Sequence, residues 1–176
     1  REIASTFNTR YKTDYLIQPE PVITGPAPRV MSLRDGTQKM SKSAESDMTR
    51  INLTDDPDSI AQKIRKAKTD MDPLPETEGA LANRPEAANL VTIYAALADI
   101  TKQAVLDQFS GKQFSEFKPA LVDVAVSHLS PITARMKDLV ADTTEIDGIL
   151  SRANDRANNY VIPVLSEVER MIGLWR

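Results

Sequence analysis

The chain has 176 residues, of which 41% are hydrophobic and 27% are charged, and its net charge is −3. This composition is ordinary for a globular protein, so it excludes wholesale disorder and a protein that coats nucleic acid through global attraction. The absence of cysteine and the single histidine exclude disulfides, thiolate metal sites and histidine clusters, and we expect no structural metal.

The chain carries no run of eighteen apolar residues and no signal peptide, so we expect a cytoplasmic protein that makes no contact with membranes. It opens at Arg1 in a helical pattern without an initiator methionine. This opening indicates a piece of a longer protein.

After an opening helix, the first forty residues are predicted to form little regular structure. The helix is expected to end near residues 8–9, and residues 11–17 alternate weakly, which predicts a short strand. Four prolines between residues 19 and 28 predict an extended connection, because each restricts the residue before it. The apolar run from Val30 to Leu33 then predicts a brief strand that leads into a turn at Asp35-Gly36.

The stretch from Arg29 to Asp56 carries most of the recognisable chemistry and reads RVMSLRDGTQKMSKSAESDMTRINLTDD. Its segment Lys39–Ser43, called the signature loop below, places two mobile cations and two hydroxyl donors on one short loop. That combination suits a polyphosphate, although a solvated lysine-rich loop is the usual fate of such a run. Val30 and Met31 fit a buried strand, and a strand end beside a phosphate loop can also contact an adenine ring.

Asp56-Pro57 predicts the start of a helix, because aspartate caps and proline suits the first turn. Ile60 and Ile64 share one face of this helix, and basic residues populate the others. Lys63 and Lys66 are therefore candidates for contact with phosphates, with a solvated helix surface as the alternative.

The rest of the chain predicts further helices separated by one long connection over residues 69–85. Helix starts are predicted at Pro85, Thr101 and Ser115, and Pro131 is expected to kink or split the helix that contains it. The final amphipathic segment, residues 143–174, carries Arg152 and Arg156 on a more polar face. These two arginines are candidates for contact with phosphates, and solvated surface is the equal alternative.

Three segments together resemble the C-terminal half of bacterial-type tryptophanyl-tRNA synthetases: RVMSLRDGTQKMSKS, RINLTDDPDSIAQKIRKAKTD and NLVTIYAAL. The signature loop resembles the second signature of class I aminoacyl-tRNA synthetases. The tyrosyl enzymes usually carry a different version of this loop and lack the continuation after it.

The resemblance implies activation of tryptophan by ATP, with accompanying Mg²⁺ and no tightly bound cofactor, followed by transfer to tRNA(Trp). It implies catalytic roles for Lys42 and Lys39, with the larger effect for Lys42, and an ATP site formed by Val30, Lys39, Met40, Ser41, Lys42 and Ser43. It makes Lys63 and Lys66 candidates for contact with phosphates of the tRNA acceptor arm, and Arg152 and Arg156 candidates for contact with the anticodon arm. It also implies that the family's other active-site motifs lie upstream of Arg1. We therefore expect an inactive fragment of a homodimeric ligase.

The predicted fold is mainly α. Residues 1–55 are expected to be the end of a Rossmann-type catalytic domain with the signature loop, in short strands and loops. Residues 56–176 are expected to form a helical tRNA-binding bundle of about five helices, whose last helix is expected to pack back on the catalytic domain. The alternative is a freestanding helical RNA-binding or interaction module without catalysis.

Overall fold

In the computed structural model, which describes residues 1–23, 25 and 27–174, the chain is almost entirely helical. The α-helices are α1 (Glu2–Tyr11), α2 (Pro57–Arg65), α3 (Pro85–Ala98), α4 (Lys102–Phe109), α5 (Phe114–Ala141) and α6 (Thr144–Met171). Short 3₁₀ turns lie at Asp47–Thr49 and Glu78–Leu81. The prediction of a mainly α chain with five helices after residue 56 is thus confirmed for the part described.

Neither predicted strand forms as a named strand within the described residues. Helix α1 continues to Tyr11, and the segment after it is held instead by the Asn8 side chain, whose amide exchanges two hydrogen bonds with the Leu16 backbone. The run from Val30 to Leu33 contributes a single antiparallel bridge, between Met31 and Lys39. The proline-rich connection is neither helix nor strand where it is described, and its residues 24 and 26 lie outside that part.

Several predicted helix ends agree with the local chemistry. The Asp56 carboxylate accepts a hydrogen bond from the Ser59 amide at 2.7 Å, and Thr101 caps α4 through the Ala104 amide. Helix α5 begins at Phe114, one residue before the predicted Ser115 cap. It continues through Pro131 to Ala141, so of the two outcomes expected there, a kink or a split, the split does not occur.

The chain divides into two compact units, Ile23–Asp138 and Arg1–Val22 with Leu139–Arg176. This division does not coincide with the boundary expected between residues 55 and 56. The first unit holds the main core, whose fully buried large side chains are Leu33, Ile60, Ile64, Leu74, Leu90, Val91, Val105, Leu106, Phe117 and Leu121. In the other unit, α6 contains no buried residue and its apolar stripe stays exposed.

An aromatic cluster joins α3, α4 and α5 inside the first unit. The ring centroid of Tyr94 lies 5.4 Å from that of Phe109 and 5.7 Å from that of Phe117. Phe109 and Phe117 meet edge to face at 5.1 Å, a favoured geometry for aromatic pairs. These contacts give the helices a rigid base.

The C-terminal end of α2 is held by two cations from distant parts of the chain. Lys118 of α5 donates to the carbonyl oxygens of Ala67 at 2.7 Å and Arg65 at 3.2 Å. The guanidinium of Arg34 donates to the carbonyl of Lys66. Burial lowers the pKa of Lys118, with a smaller contribution from Arg34. Because these carbonyls have no partner within the helix, cations there satisfy them and fix α2 in place.

No helix in the described ranges has both the length and the apolar character that crossing a membrane requires.

Candidate nucleotide site

The signature loop begins where two short backbone segments pair. The Ser32 amide donates to the Gln38 carbonyl at 2.8 Å, and the Met40 amide donates to the Val30 carbonyl at 3.1 Å. With the Met31–Lys39 bridge, these bonds form a small hairpin that places Val30 beside the first residues of the loop.

The turn of this hairpin is fixed by Asp35 and by a close approach to α3. The Asp35 carboxylate accepts hydrogen bonds from the Thr37 amide and hydroxyl at 2.9 and 2.6 Å, and these bonds lower its pKa. A Cβ on Gly36 would lie 2.4 Å from the carbonyl carbon of Pro85, so only glycine fits here without a backbone shift. The turn is therefore packed against the start of α3.

Asn89, a buried polar residue of α3, holds the outer edge of the hairpin. Its Oδ1 accepts from the Met31 amide at 2.9 Å. Its Nδ2 donates to the carbonyl oxygens of Met31 at 2.9 Å and Ser32 at 3.3 Å. One side chain thus makes hydrogen bonds that a neighbouring strand would otherwise make, and it fixes Met31 and Ser32, which follow Val30, to α3.

The signature loop itself makes a tight turn that leaves its lysines free. The Ser43 amide donates to Ser41 Oγ at 3.3 Å, and the Ala44 amide donates to the Ser41 carbonyl at 3.3 Å. Lys39 and Lys42 are exposed, and neither pairs with a carboxylate among the residues that the structure describes. Two unpaired cations on one turn can accept an anionic ligand without first losing a partner.

A cleft of about 620 Å³ lies against the loop. Its polar lining consists of cations, hydroxyls and one amide, and no carboxylate is found among its described lining residues. Apolar side chains line the rest. The full lining is Pro28, Arg29, Val30, Lys39, Met40, Ser41, Lys42, Arg50, Ile51, Asn52, Leu53, Thr54 and Met136. A cleft that is apolar in part and cationic in part suits a nucleotide, which has a flat ring and a polyphosphate.

Most of the residues predicted for an ATP site therefore line one cleft; Ser43 is the exception, and lies in the adjoining turn. Sequence reasoning did not single out Arg29, Arg50 or Met136. Arg29 and Arg50 lie close to the motif in the sequence, so their charge could have indicated that they belong to the site. Met136 comes from α5, about ninety residues further on, and no local pattern connects it to the loop.

The segment after the loop, residues 44–55, is called the loop stem, and Lys63 of α2 anchors it. Lys63 is 3% exposed, and its Nζ lies 2.6 Å from Asp47 Oδ2 and 2.5 Å from Asp55 Oδ2. A tRNA contact and a solvated helix surface, the two alternatives given for Lys63, both require an exposed side chain, and both are wrong because the side chain is buried. Its ammonium is enclosed and shared between two carboxylates, so it is not available to a tRNA phosphate.

The remaining candidates for tRNA contact are exposed. Lys66 lies one residue after α2, and Arg152 and Arg156 lie one turn apart on α6, in the other compact unit. Neither arginine is engaged in an ion pair within the described chain.

Comparison with known proteins gives a consistent result. A family model described as tRNA synthetases class I (W and Y) matches residues 1–130. A protein of Rhizobium meliloti named tryptophan–tRNA ligase is 60% identical over 154 residues, covering 88% of this chain and 44% of that protein. A protein of the same name from Caulobacter vibrioides is 49% identical over 176 residues, covering 99% of this chain and 51% of that protein.

The fold is also similar to a solved structure. The crystal structure of tryptophanyl-tRNA synthetase from Mycoplasma pneumoniae superposes with a TM-score of 0.84 at 25% identity, covering 100% of this chain and 54% of that one. The chain therefore spans about half the length of the relatives that it matches.

Proposed function

The chain belongs to the class I tRNA synthetases of the tryptophan and tyrosine family, and we propose that it forms part of a tryptophan–tRNA ligase. Supporting this proposal, its relatives at 49–60% identity bear that name. In this reaction the tryptophan carboxylate attacks the α-phosphorus of ATP, and the bond to the bridging oxygen breaks as pyrophosphate leaves. A ribose hydroxyl of tRNA then attacks the carboxyl carbon, and AMP leaves.

The observation that carries the assignment of the site is the pair of free lysines beside the partly apolar cleft. Lys42 and Lys39 would neutralise the charge that builds on the leaving pyrophosphate, which is the usual task of positioned cations in phosphoryl chemistry. The hydroxyls of Ser41 and Ser43 would donate to phosphate or ribose oxygens. Mg²⁺ enters as part of the MgATP substrate.

Val30 and the partly buried Met40 would contact the base of the nucleotide. Both pack against the hydrophobic core. Their position is set by the hairpin bonds and by Asn89, so the apolar side of the cleft is preformed. A preformed wall lowers the ordering cost of binding a flat ring.

Residues 56–176 are proposed to contribute tRNA binding, with Lys66, Arg152 and Arg156 as phosphate contacts. All three are exposed, and cations mostly position the nucleic acid backbone without selecting bases. Lys63 is not part of this proposal because of its burial.

A freestanding helical binding module is the second candidate. It gains support only from the helical content of the chain, whereas the cleft beside two free lysines has no evident use in such a module. An enzyme part is therefore the better supported function.

The test is amino-acid-dependent exchange of pyrophosphate into ATP. The protein is expressed from the complete reading frame that contains this sequence, called the complete gene product below. Exchange should depend on tryptophan and should fall to background when tyrosine replaces it, and the protein should charge a tRNA(Trp) transcript. Tyrosine-dependent exchange would refute the choice of substrate, and binding of tRNA without any exchange would favour the module.

A further inference from the structure

The loop stem is held by a neutral cluster of four charged side chains and one amide behind the signature loop. One carboxylate oxygen of Asp47, Oδ2, lies 2.6 Å from Lys63 Nζ. Its other oxygen, Oδ1, forms an ion pair with the Arg50 guanidinium at 3.0 Å and accepts a hydrogen bond from the Asn52 side-chain amide at 2.9 Å. Asp55 completes the cluster with the second contact of Lys63 at 2.5 Å. Asp47 thus lies between the cation on α2 and the cation on the stem.

Arg50 connects this cluster to the residue that follows the signature loop. Its guanidinium donates to the carbonyl oxygen of Ala44 at 2.9 Å, and Ala44 directly follows the last residue of the signature loop. Arg50 also lines the cleft. An unbroken series of ion pairs and hydrogen bonds therefore leads from Lys63 through Asp47 and Arg50 to Ala44, the residue that follows the loop.

The two ends of this series differ sharply in exposure. Lys63 lies between Ile60 and Ile64 of the core helix, which are 0% and 1% exposed, so its backbone cannot shift easily. The Asp47 side chain is 54% exposed and belongs to a surface segment. The fixed end is therefore α2, and the end that it restrains is the stem.

The protonation state of Lys63 fits this role. Burial is the largest influence on its pKa and lowers it, but the hydrogen bonds that Lys63 donates to Asp47 and Asp55, together with their negative charge, outweigh burial and raise the pKa above 10.5. Lys63 consequently stays charged at neutral pH. A buried charge needs such partners, since an uncompensated one is strongly unfavourable.

We propose that Lys63 is a positioning residue, which holds the C-terminal side of the signature loop against the cleft through Asp47 and Arg50. Lys63 touches no substrate in this scheme. It acts by fixing where Lys42 stands when pyrophosphate leaves, so the kinetic part of the inference rests on the proposed function. A small displacement of a catalytic cation is enough to slow such a reaction.

The position of the loop is tested first by a spin label. The chain has no cysteine, so Glu45→Cys provides one labelling site on an exposed residue next to the loop. The label should become more mobile in Lys63→Met and in Asp47→Asn. Arg65→Met removes an exposed cation from the same helix and should leave the spectrum unchanged. Asp47→Asn alters a half-exposed side chain and is suited to the test if Lys63→Met fails to fold.

Exchange kinetics of the complete gene product provide the second test. Lys63→Met and Asp47→Asn should each lower kcat about tenfold, while KM for ATP changes less than about threefold. The double variant should be no slower than the slower single variant, because both changes break one contact.

Three results would overturn the inference: an unchanged spectrum in both variants, unchanged kcat in Asp47→Asn, or additive effects in the double variant. A wild-type protein without tryptophan-dependent exchange would refute the proposed function instead. The spin-label spectra would then decide alone whether Lys63 anchors the loop.

Discussion

Replacement of Asn89 by alanine should destabilise the chain through the hairpin that carries the signature loop. Asn89 is 5% exposed and makes three hydrogen bonds to the backbone of Met31 and Ser32. Alanine removes all three bonds and leaves one amide and two carbonyl groups of the hairpin without their partner. The change affects a link between segments 58 residues apart, so no local rearrangement replaces it.

The size of the effect follows from the groups left behind. A buried polar group that loses its partner costs about 1–3 kcal/mol, and partial access of water to the hairpin reduces the sum for three groups. The gain in helix propensity from alanine is below about 1 kcal/mol. We therefore expect the free energy of unfolding to fall by about 2–4 kcal/mol.

Urea unfolding of the 176-residue chain, followed by circular dichroism, measures this change. The matched control is Asn158→Ala on the exposed surface of α6, which should shift the free energy of unfolding by less than about 0.5 kcal/mol. Asn89→Asp keeps the shape but loses both donor hydrogens, so it should also destabilise at pH 7. A loss below about 1 kcal/mol in Asn89→Ala would refute the view that this amide holds the hairpin.

Three further changes test other parts of the account. Gly36→Ala should cost about 1–3 kcal/mol in urea unfolding, because its Cβ would meet the backbone at the start of α3, whereas Gly79→Ala has open space and should be near neutral. The hydrogen bond from Arg84 holds the pKa of Asp70 below 3.8, so the stabilisation is present above that pH and is lost as the pH falls below it. Asp70→Asn should therefore be less stable than wild type at pH 7, and the difference should shrink below pH 3.8 in parallel unfolding curves. Lys66→Glu in the complete gene product should weaken tRNA binding and flatten its salt dependence in titrations, and unchanged affinity and slope would remove this lysine from the interface.

Local chemistry explains what could be predicted from the sequence. The caps at Asp56 and Thr101 depend on residues within three positions, and both form as expected. The strand predicted for residues 11–17 is wrong, because the Asn8 side chain satisfies the Leu16 backbone in place of a neighbouring strand. A weak alternation of apolar residues does not reveal such a partner. Pro131 does not divide α5, although its ring disfavours the helix interior.

The arrangement around the loop depended on contacts between distant residues. The motif Lys39–Ser43 identified the cleft, but Lys63 appeared on the sequence as one cation among several on a basic helix. Its burial follows from Asp47, sixteen residues earlier, and a helical pattern gives no sign of that contact. Asn89 likewise lies in an apolar helix, where its pairing with Met31 could not be foreseen.

The most direct test of the central claim compares Lys42→Ala with Lys112→Ala in tryptophan-dependent pyrophosphate exchange by the complete gene product. Lys42 lines the cleft, whereas Lys112 is an exposed lysine that does not. If Lys42 neutralises the leaving pyrophosphate, its loss should lower kcat by about 10²–10³, as removal of one preformed electrostatic contact does elsewhere, while Lys112→Ala stays near wild type. A decrease of only a few fold in Lys42→Ala would contradict the role assigned to the signature loop.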